Sequence, residues 1–361
     1  MRLRTPLTDL VGVTHPVVQT GMGWVSGARL VSATANAGGL GILASVTMTL
    51  DELAVAIGKV KAATDKPFGV NIRADATDAA ERIELMISQG VAVASFALAP
   101  KPELITRLKA AGVVVIPSVG AAKHARKVAA WGADAVIVQG GEGGGHTGPV
   151  ATTLLLPSVI DAVRKDAPGK GIPVIAAGGF FDGRGLAAAL SYGAAGVAMG
   201  TRFLLTSDST VPDAVKRRYL NAALDGTVVT TRVDGMPHRV LRTGLVEKLE
   251  SRLRASGFAA ALINASKFKK MSKLSWSSMV RDGLAMRHGK DLTWSQVLMA
   301  ANTPMLLKAG LVEGNTEAGV LAAGQVTGII EDLPSCAELI ERIIGDAVRQ
   351  LQAANGLVVD S

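Results

Sequence analysis

The chain has 361 residues, of which 48% are hydrophobic and 19% are charged, so it is long enough to bury one large core or two smaller ones. Its formal net charge is +8, and no apolar run reaches the roughly 18 residues of a membrane span. The single cysteine, Cys336, excludes an intrachain disulfide, and an N-terminus without an apolar signal region completes the prediction of a cytoplasmic protein with no membrane partner.

Short apolar runs alternate with amphipathic segments over roughly the first 200 residues. The apolar runs predict strands at Val17–Gln19, Gly41–Leu43, Phe68–Ile72, Val93–Ala97, Val113–Pro117, Ala135–Gln139, Pro173–Ala177 and Gly196–Met199. The Ala-rich segments between them predict helices near 28–37, 50–62, 78–89, 102–110, 122–131, 157–165 and 185–192.

The predicted strands are apolar without alternation, which is typical of parallel strands buried on both faces. Eight such strands with intervening helices match the count of an α/β fold of the (β/α)8 TIM barrel type. A doubly wound open sheet is the alternative, and the eight-fold count and short spacing disfavour it.

The alternating rhythm stops after Arg202. We predict a mostly helical cap over 212–310, inserted after strand 8, with the barrel formed by 1–211 and 311–361. The best strand-like run in the cap is Gly226–Val233, and the apolar periodicity of the tail predicts a final helix that packs on the barrel.

Bare glycines follow the last two predicted strands, at Gly178-Gly179 and at Gly200. Backbone N–H groups at the start of a helix bind phosphate, and TIM barrels use the loops after strands 7 and 8 for this purpose. The alternative is that these glycines only allow tight turns. Their joint position on adjacent strands favours a phosphate site.

The loop after predicted strand 6 reads QGGEGGGHTG and combines six glycines with one histidine. Gln139 could hydrogen-bond the edge of a flavin or nucleotide, and His146 suits general acid or base chemistry. A capping or structural role for His146 is the alternative. The loop has neither the dinucleotide fingerprint nor the Gly-Lys-Ser/Thr of a P-loop. No histidine pair has metal-ligand spacing, so no metal site is predicted.

With these residues placed, the chain resembles the nitronate monooxygenase (2-nitropropane dioxygenase-like) family of FMN-dependent TIM barrels. The resemblance covers roughly 15–205 and 319–345. It rests on six motifs in order: QTGMGW, PFGVNIRAD, VQGGEGGGHTG, PVIAAGGFFDGRG, GVAMGTRFL and GQVTGIIEDLPS.

The resemblance implies an FMN cofactor and a set of residues around it. Asn71 and Gln139 would contact the flavin, and Met22 would lie by its isoalloxazine ring, with Gly23 and Met199 in the same set. His146 would be the catalytic acid/base. The segments that would hold the FMN phosphate contain Gly144, Gly145, Gly178, Gly179, Gly200 and Thr201. One departure from the family pattern is Gly143, where the family carries Ala, and the missing methyl group suggests a wider pocket.

The whole chain, cap included, is similar to an actinobacterial branch of this family that acts on a bicyclic acyl-CoA thioester in steroid breakdown. Such a substrate would explain the basic stretch 267–290, because CoA carries several phosphate charges. A solvated helix face is the alternative. The candidate CoA-binding residues are Lys267, Lys269, Lys270, Lys273, Arg281 and Arg287.

Other activities fit the same residues. A true nitronate monooxygenase using O2 is the second hypothesis, and a non-enzymatic flavin- or phosphate-binding module is the third. NAD is a candidate electron acceptor, although no separate nucleotide domain is visible in the sequence. The apolar cap and tail allow a homodimer. With only 4% aromatic residues and no recognised motif, the basic stretch is not predicted to bind nucleic acid.

Overall fold

The computed structural model describes residues 2–98, 100–165, 171–251, 294–317 and 319–359. The chain forms two compact units. The first contains Met1–Gly143, Gly148–Thr210 and Ile329–Ser361, and the second contains Gly144–Thr147 and Val211–Gly328.

The first unit is built on a closed barrel in which each parallel strand pairs with its neighbour and the last pairs with the first. The prediction of a (β/α)8 TIM barrel is confirmed, and each predicted strand is present at its place in the chain. The barrel strands are β1 (Val17–Gln19), β2 (Leu40–Ala44), β3 (Gly69–Ile72), β4 (Val93–Phe96), β5 (Val114–Val119), β6 (Val136–Gln139), β8 (Val174–Ala177) and β9 (Gly196–Met199).

Helices connect these strands and continue through the second unit. They are α1 (Pro6–Val11), α2 (Ala28–Asn36), α3 (Leu50–Ala63), α4 (Ala79–Ser88), α5 (Pro102–Ala110), α6 (Ala122–Ala130), α7 (Thr152–Lys165), α8 (Gly183–Ser191), α9 (Thr201–Leu204), α10 (Asp213–Leu220), α11 (Gly244–Ser251), α12 (Trp294–Leu311) and α13 (Cys336–Asn355). A short 3-10 helix spans Gln325–Ile329.

The barrel strands are apolar because both of their faces are covered. Every residue of β2, β3, β4, β8 and β9 is buried. A side chain on Gly41 would collide with the backbone of Val31, so the bare position lets α2 lie directly on β2. Burial on both sides is what removes the polar alternation from the sequence.

Helix α7 begins earlier than the sequence predicts, at Thr152 rather than at Pro157. The backbone N–H of Thr152 donates to both carboxylate oxygens of Glu142, at 3.2 and 3.0 Å. A carboxylate ten residues upstream thus caps the helix. This partner is supplied by the folded loop, which is why local sequence signals misplaced the start.

The second unit contains a three-stranded antiparallel sheet with the order β10 (Thr227–Thr230), β11 (His238–Leu241) and β7 (Gly145–His146). The sequence predicted a mostly helical cap with one strand-like run, and that run contains β10. Helices α10, α11 and α12 accompany the sheet, and this unit extends past the predicted cap to Gly328. The sheet was missed because β7 has two residues and joins β11 from far along the chain.

Two further sequence predictions concern the CoA-binding residues and membrane spans. The six candidate CoA-binding residues all lie within 252–293, outside the described residues. Among the described helices, none is long and apolar enough to cross a membrane.

The last helix, α13, packs against α8 and α2, as the apolar periodicity of the tail predicts. The contact with α8 depends on Gly183, because a Cβ there would lie 2.5 Å from both the amide nitrogen of Ala347 and the carbonyl oxygen of Ile343. Backbone atoms cannot move aside as a flexible side chain can, so this position requires glycine.

We predict opposite effects for two Gly→Ala substitutions in helices of this unit. Gly183→Ala should lower the free energy of unfolding by about 1–3 kcal/mol, because the methyl group overpacks the α8–α13 contact. Gly58→Ala is the matched control: its added Cβ meets nothing within 4 Å on exposed α3, so helix propensity should raise stability by about 0.5–1 kcal/mol. Urea unfolding measures both, and equal effects would contradict the close-packing argument.

Candidate active site

The carboxyl ends of the barrel strands place several predicted site residues on one rim of the first unit. Asn71 lies in β3, Gln139 ends β6, and Gly178 and Gly200 directly follow β8 and β9. Because β6, β8, β9 and β1 are successive neighbours in the barrel, the loops that follow them meet at this rim.

Met22, in the loop after β1, lies beside the glycine that follows β9. A Cβ on Gly200 would lie 3.3 Å from the sulfur of Met22 and 3.2 Å from the hydroxyl of Thr20. Gly23 is half-buried in the same loop. Met199, the last residue of β9, is only 1% exposed, and its contact with the flavin stays a prediction.

The loop after β8 offers bare backbone to the rim. Gly178 and Gly179 have φ values of +89° and +86°, which favour glycine. A Cβ on Gly178 would lie 3.0 Å from the carbonyl oxygen of Gly140 and 3.1 Å from the amide of Gly143, so two glycine loops touch here. The start of α8 is less available to a phosphate, because the side chain of Asp182 already accepts a hydrogen bond from the backbone amide of Gly185.

These residues fit a flavin. Asn71 and Gln139 carry amide groups that match the hydrogen-bonding edge of the ring. The half-buried Gly178 and the exposed Gly179 present backbone without side chains after β8, which suits a phosphate. The acidic cap at Asp182 occupies the first turn of α8, so a phosphate would use the loop rather than that helix end.

The glycines between Gln139 and Gly143 are needed for close packing as well. A Cβ on Gly140 would lie 2.6 Å from the amide nitrogen of Thr152. The Thr152 hydroxyl donates at 2.7 Å to Glu142 and lies 2.9 Å from the carbonyl oxygen of Gly178. These contacts join the loop after β6, the start of α7 and the loop after β8.

Gly143 makes room for Gln139. A Cβ on Gly143 would lie 2.5 Å from the side-chain nitrogen of Gln139 and 2.7 Å from its Cδ. The sequence suggested that the missing methyl group widens a substrate pocket. The structure shows a local reason for glycine: a methyl group on Gly143 would collide with Gln139 in its present rotamer.

The next four residues, Gly144–Thr147, belong to the second unit. A Cβ on Gly144 would lie 2.6 Å from the backbone of Ala323 and Gly324. Gly145 pairs with Arg239 in the β7–β11 ladder. Gly144 therefore has a packing role, and Gly145 has a φ of +73° that favours glycine. Their contact with the FMN phosphate, like that of Thr201, stays a prediction.

His146 lies in a cluster with two residues that the sequence did not single out as its partners. Its Nε2 is 2.5 Å from Oδ2 of Asp234, and Nδ1 of His238 is 3.5 Å from the same oxygen. The two imidazole centroids are 4.7 Å apart with a 45° tilt. The His146 side chain is 52% exposed, whereas Asp234 and His238 are buried.

The carboxyl of Asp234 is held ionised. Burial alone would raise its pKa, but the hydrogen bond from His146 and the nearby imidazole of His238 outweigh burial and place the pKa well below its usual range. Its other oxygen, Oδ1, accepts from the amide of Met236 at 3.1 Å. Both carboxylate oxygens are thus engaged.

Sequence reasoning selected neither His238 nor Asp234 as a site residue. The signal that could have found them is the spacing Asp-x-x-x-His in Asp234-Gly-Met-Pro-His238, directly before a strand. The partner strand could not be inferred, because His146 and Asp234 are 88 positions apart.

A family model described as nitronate monooxygenase matches residues 4–346. The Mycobacterium tuberculosis protein named (3aS,4S,5R,7aS)-5-hydroxy-7a-methyl-1-oxo-octahydro-1H-indene-4-carboxyl-CoA dehydrogenase is 82% identical over 358 residues, which are 99% of this chain and 100% of that protein. A protein of the same name from Rhodococcus jostii is 70% identical, over 98% of this chain and 99% of that protein.

Among solved structures, FabK from Thermotoga maritima superposes with a TM-score of 0.79 at 34% identity, covering 99% of this chain and 100% of that chain. The family consists of flavin enzymes, which supports flavin use by this chain. Dehydrogenases at high identity and the family match together show an oxidoreductase. The chain therefore belongs to the nitronate monooxygenase family.

Proposed function

We propose that this oxidoreductase uses FMN to introduce an α,β double bond into a bicyclic, steroid-derived acyl-CoA thioester, or to reduce that bond, with His146 as the acid/base. The observation that carries the proposal is the 82% identity, over 99% of the chain, to an indene-carboxyl-CoA dehydrogenase. Identity at this level extends through the second unit as well as the barrel.

FMN would be held at the rim of the first unit. Asn71 and Gln139 would hydrogen-bond the ring, Met22 would contact it, and Gly178 and Gly179 would donate backbone N–H groups to the phosphate. When bound, FMN supplies the acceptor for a hydride. Desaturation of the thioester releases two electrons in all, so turnover would need a further electron acceptor, and we propose NAD for this role.

His146 supplies the proton transfer. The hydrogen on Cα of a thioester is acidic because the carbonyl delocalises the negative charge that its removal leaves behind. His146 takes this proton, the hydrogen on Cβ leaves as hydride, and the electron pair of the Cα–H bond becomes the new π bond. In the reverse direction, His146 returns the proton to Cα.

The CoA part of the substrate calls for cations. We propose that Lys267, Lys269, Lys270, Lys273, Arg281 and Arg287 meet its phosphates, because these basic residues cluster within 24 positions and a small neutral substrate would not need them. This step rests on the sequence alone. A homodimer stays a further prediction from the sequence.

A second function, oxidation of an alkyl nitronate with O2, is favoured by the family whose model matches 4–346. Removal of a proton beside a nitro group is the same chemistry as removal of a proton beside a thioester. His146 would serve both reactions, so the substrate must be chosen by experiment.

Anaerobic mixing of the oxidised, FMN-loaded protein with each substrate separates the two functions. We expect the 450 nm absorbance to bleach with the saturated indene-carboxyl-CoA thioester and to remain with an alkyl nitronate. The matching free acid, which lacks CoA, is the control for thioester recognition. Bleaching by the nitronate and by no CoA thioester would reject the proposed substrate class.

His146→Ala should lower the rate of substrate-dependent flavin bleaching at least about 100-fold while FMN stays bound, because the proton acceptor is removed. His124→Ala, on the exposed face of α6, is the matched control and should keep the wild-type rate. Single-turnover stopped-flow absorbance measures both. An unchanged rate in the His146 variant would show that another group takes the proton.

Gly143→Val should weaken FMN binding about tenfold, because a side chain larger than the family's Ala displaces the Gln139 amide and costs one hydrogen bond to the ring. Gly148→Val is the matched control in the same loop, since a Cβ there would meet nothing within 4 Å. Quenching of flavin fluorescence on titration gives both dissociation constants. Equal constants would mean that Gln139 does not contact the ring.

A further inference from the structure

One carboxylate, that of Asp234, lies beside both His146 and His238. His146 in β7 and His238 in β11 are direct partners in the antiparallel ladder. Asp234 lies four residues before His238, in the turn between β10 and β11. All three belong to the second unit, and the strand pairing brings both histidines to the same oxygen, Oδ2 of Asp234.

The contact between His146 and Asp234 has the length of a strong hydrogen bond. Nitrogen and oxygen ligands that share one metal ion at about 2.0–2.1 Å lie about 2.9–3.4 Å apart in octahedral or tetrahedral geometry. The two atoms are 2.5 Å apart, although all three candidate ligand atoms lie within 4.8 Å of one another. The distance therefore favours a direct hydrogen bond over joint ligation of one metal ion.

This hydrogen bond fixes the tautomer of His146. An ionised carboxylate only accepts, so Nε2 of His146 must carry the hydrogen that it donates to Asp234. Neutral imidazole has one N–H group, which leaves the lone pair on Nδ1. The nitrogen that can accept a proton from a substrate is then Nδ1.

His238 bears on the same carboxylate. It is 3% exposed, and within the described structure neither of its ring nitrogens has a hydrogen-bond partner. Its Nδ1 points towards Oδ2 of Asp234 at 3.5 Å, and its ring lies against that of His146. The short approach from His146 and the longer one from His238 confine Asp234 from two sides.

We propose that Asp234, confined by His238, is a positioning residue that holds the proton of His146 on Nε2 and thereby makes Nδ1 the proton-accepting atom. The inference rests on the proposed role of His146 as the acid/base. Asp234 does not touch the substrate, and its effect passes through the imidazole. In the reaction it also faces the positive charge that His146 acquires with the substrate proton.

The tautomer can be observed without substrate. Long-range 1H–15N spectra of the FMN-loaded protein, labelled at histidine nitrogens, distinguish a protonated ring nitrogen from an unprotonated one. His146→Gln identifies the His146 signals by their loss. We expect protonated Nε2 and unprotonated Nδ1 in the wild type. Asp234→Asn, which keeps the shape and loses the charge, should produce a mixture of both tautomers.

Either of two results would overturn the assignment. One is a wild-type His146 with its proton on Nδ1, and the other is an Asp234→Asn spectrum identical to the wild type. Titration with Zn²⁺ adds a third outcome: one ion bound per chain, with joint shifts of the His146 and His238 nitrogens, would establish a metal site instead. The wild-type spectrum needs no variant, so misfolding cannot hide the answer.

Kinetics separate this inference from the proposed function. Asp234→Asn should slow substrate-dependent flavin bleaching about 100-fold with the KM for the thioester changed less than about threefold, and Asp234→Glu should recover part of the rate. Asp225→Asn, on an exposed turn of the same unit, is the matched control and should match the wild type.

Each combination of results separates the positioning role of Asp234 from the proposed function. A wild-type rate in Asp234→Asn beside an inactive His146→Ala would overturn the positioning role and leave the proposed function standing. An active His146→Ala would overturn the proposed function, while the spectra would still decide the tautomer. His238→Phe tests the confinement of Asp234: it should increase the second tautomer of His146, whereas an unchanged spectrum removes His238 from the proposal.

Discussion

Closure of the parallel barrel is the constraint on which the first unit depends. Once β9 pairs with β1, the carboxyl ends of all eight strands share one rim. Residues that are far apart in sequence, such as Asn71 and Gly200, then belong to one surface without any direct contact between them. The strands can be short and mostly apolar because they pair with one another and are covered on both faces.

The glycine-rich loop after β6 illustrates how two demands select the same residue. Phosphate binding and close packing both require backbone without a side chain. Gly140 approaches Thr152, Gly143 makes room for Gln139, and Gly144 lies on the backbone at Ala323. Packing explains these three positions without any ligand. Gly178 also packs against Gly140, whereas Gly179 is exposed and retains the stronger argument for phosphate.

The fold was largely readable from the sequence because its signals are local. Uniform apolar runs with helices between them predict a parallel barrel, and Gln139 and His146 follow from their place at the end of one strand. What failed depended on contacts between distant residues. The start of α7 is set by Glu142, the sheet of the second unit is completed by the two-residue β7, and Asp234 reaches His146 only through the β7–β11 pairing.

The hydrogen bond that His146 donates to Asp234 also bears on the proposed role of a half-exposed histidine as a specific base. His146 is 52% exposed, so packing alone does not fix the orientation of its ring or the position of its proton. Asp234 has what His146 lacks: it is buried, both of its oxygens are engaged, and its pKa is low enough to keep it ionised. The buried Asp234 thus restrains the orientation of the exposed His146 ring. Because an ionised carboxylate stabilises a neighbouring positive charge as well as one tautomer of imidazole, the same contact would serve both directions of the proposed proton transfer.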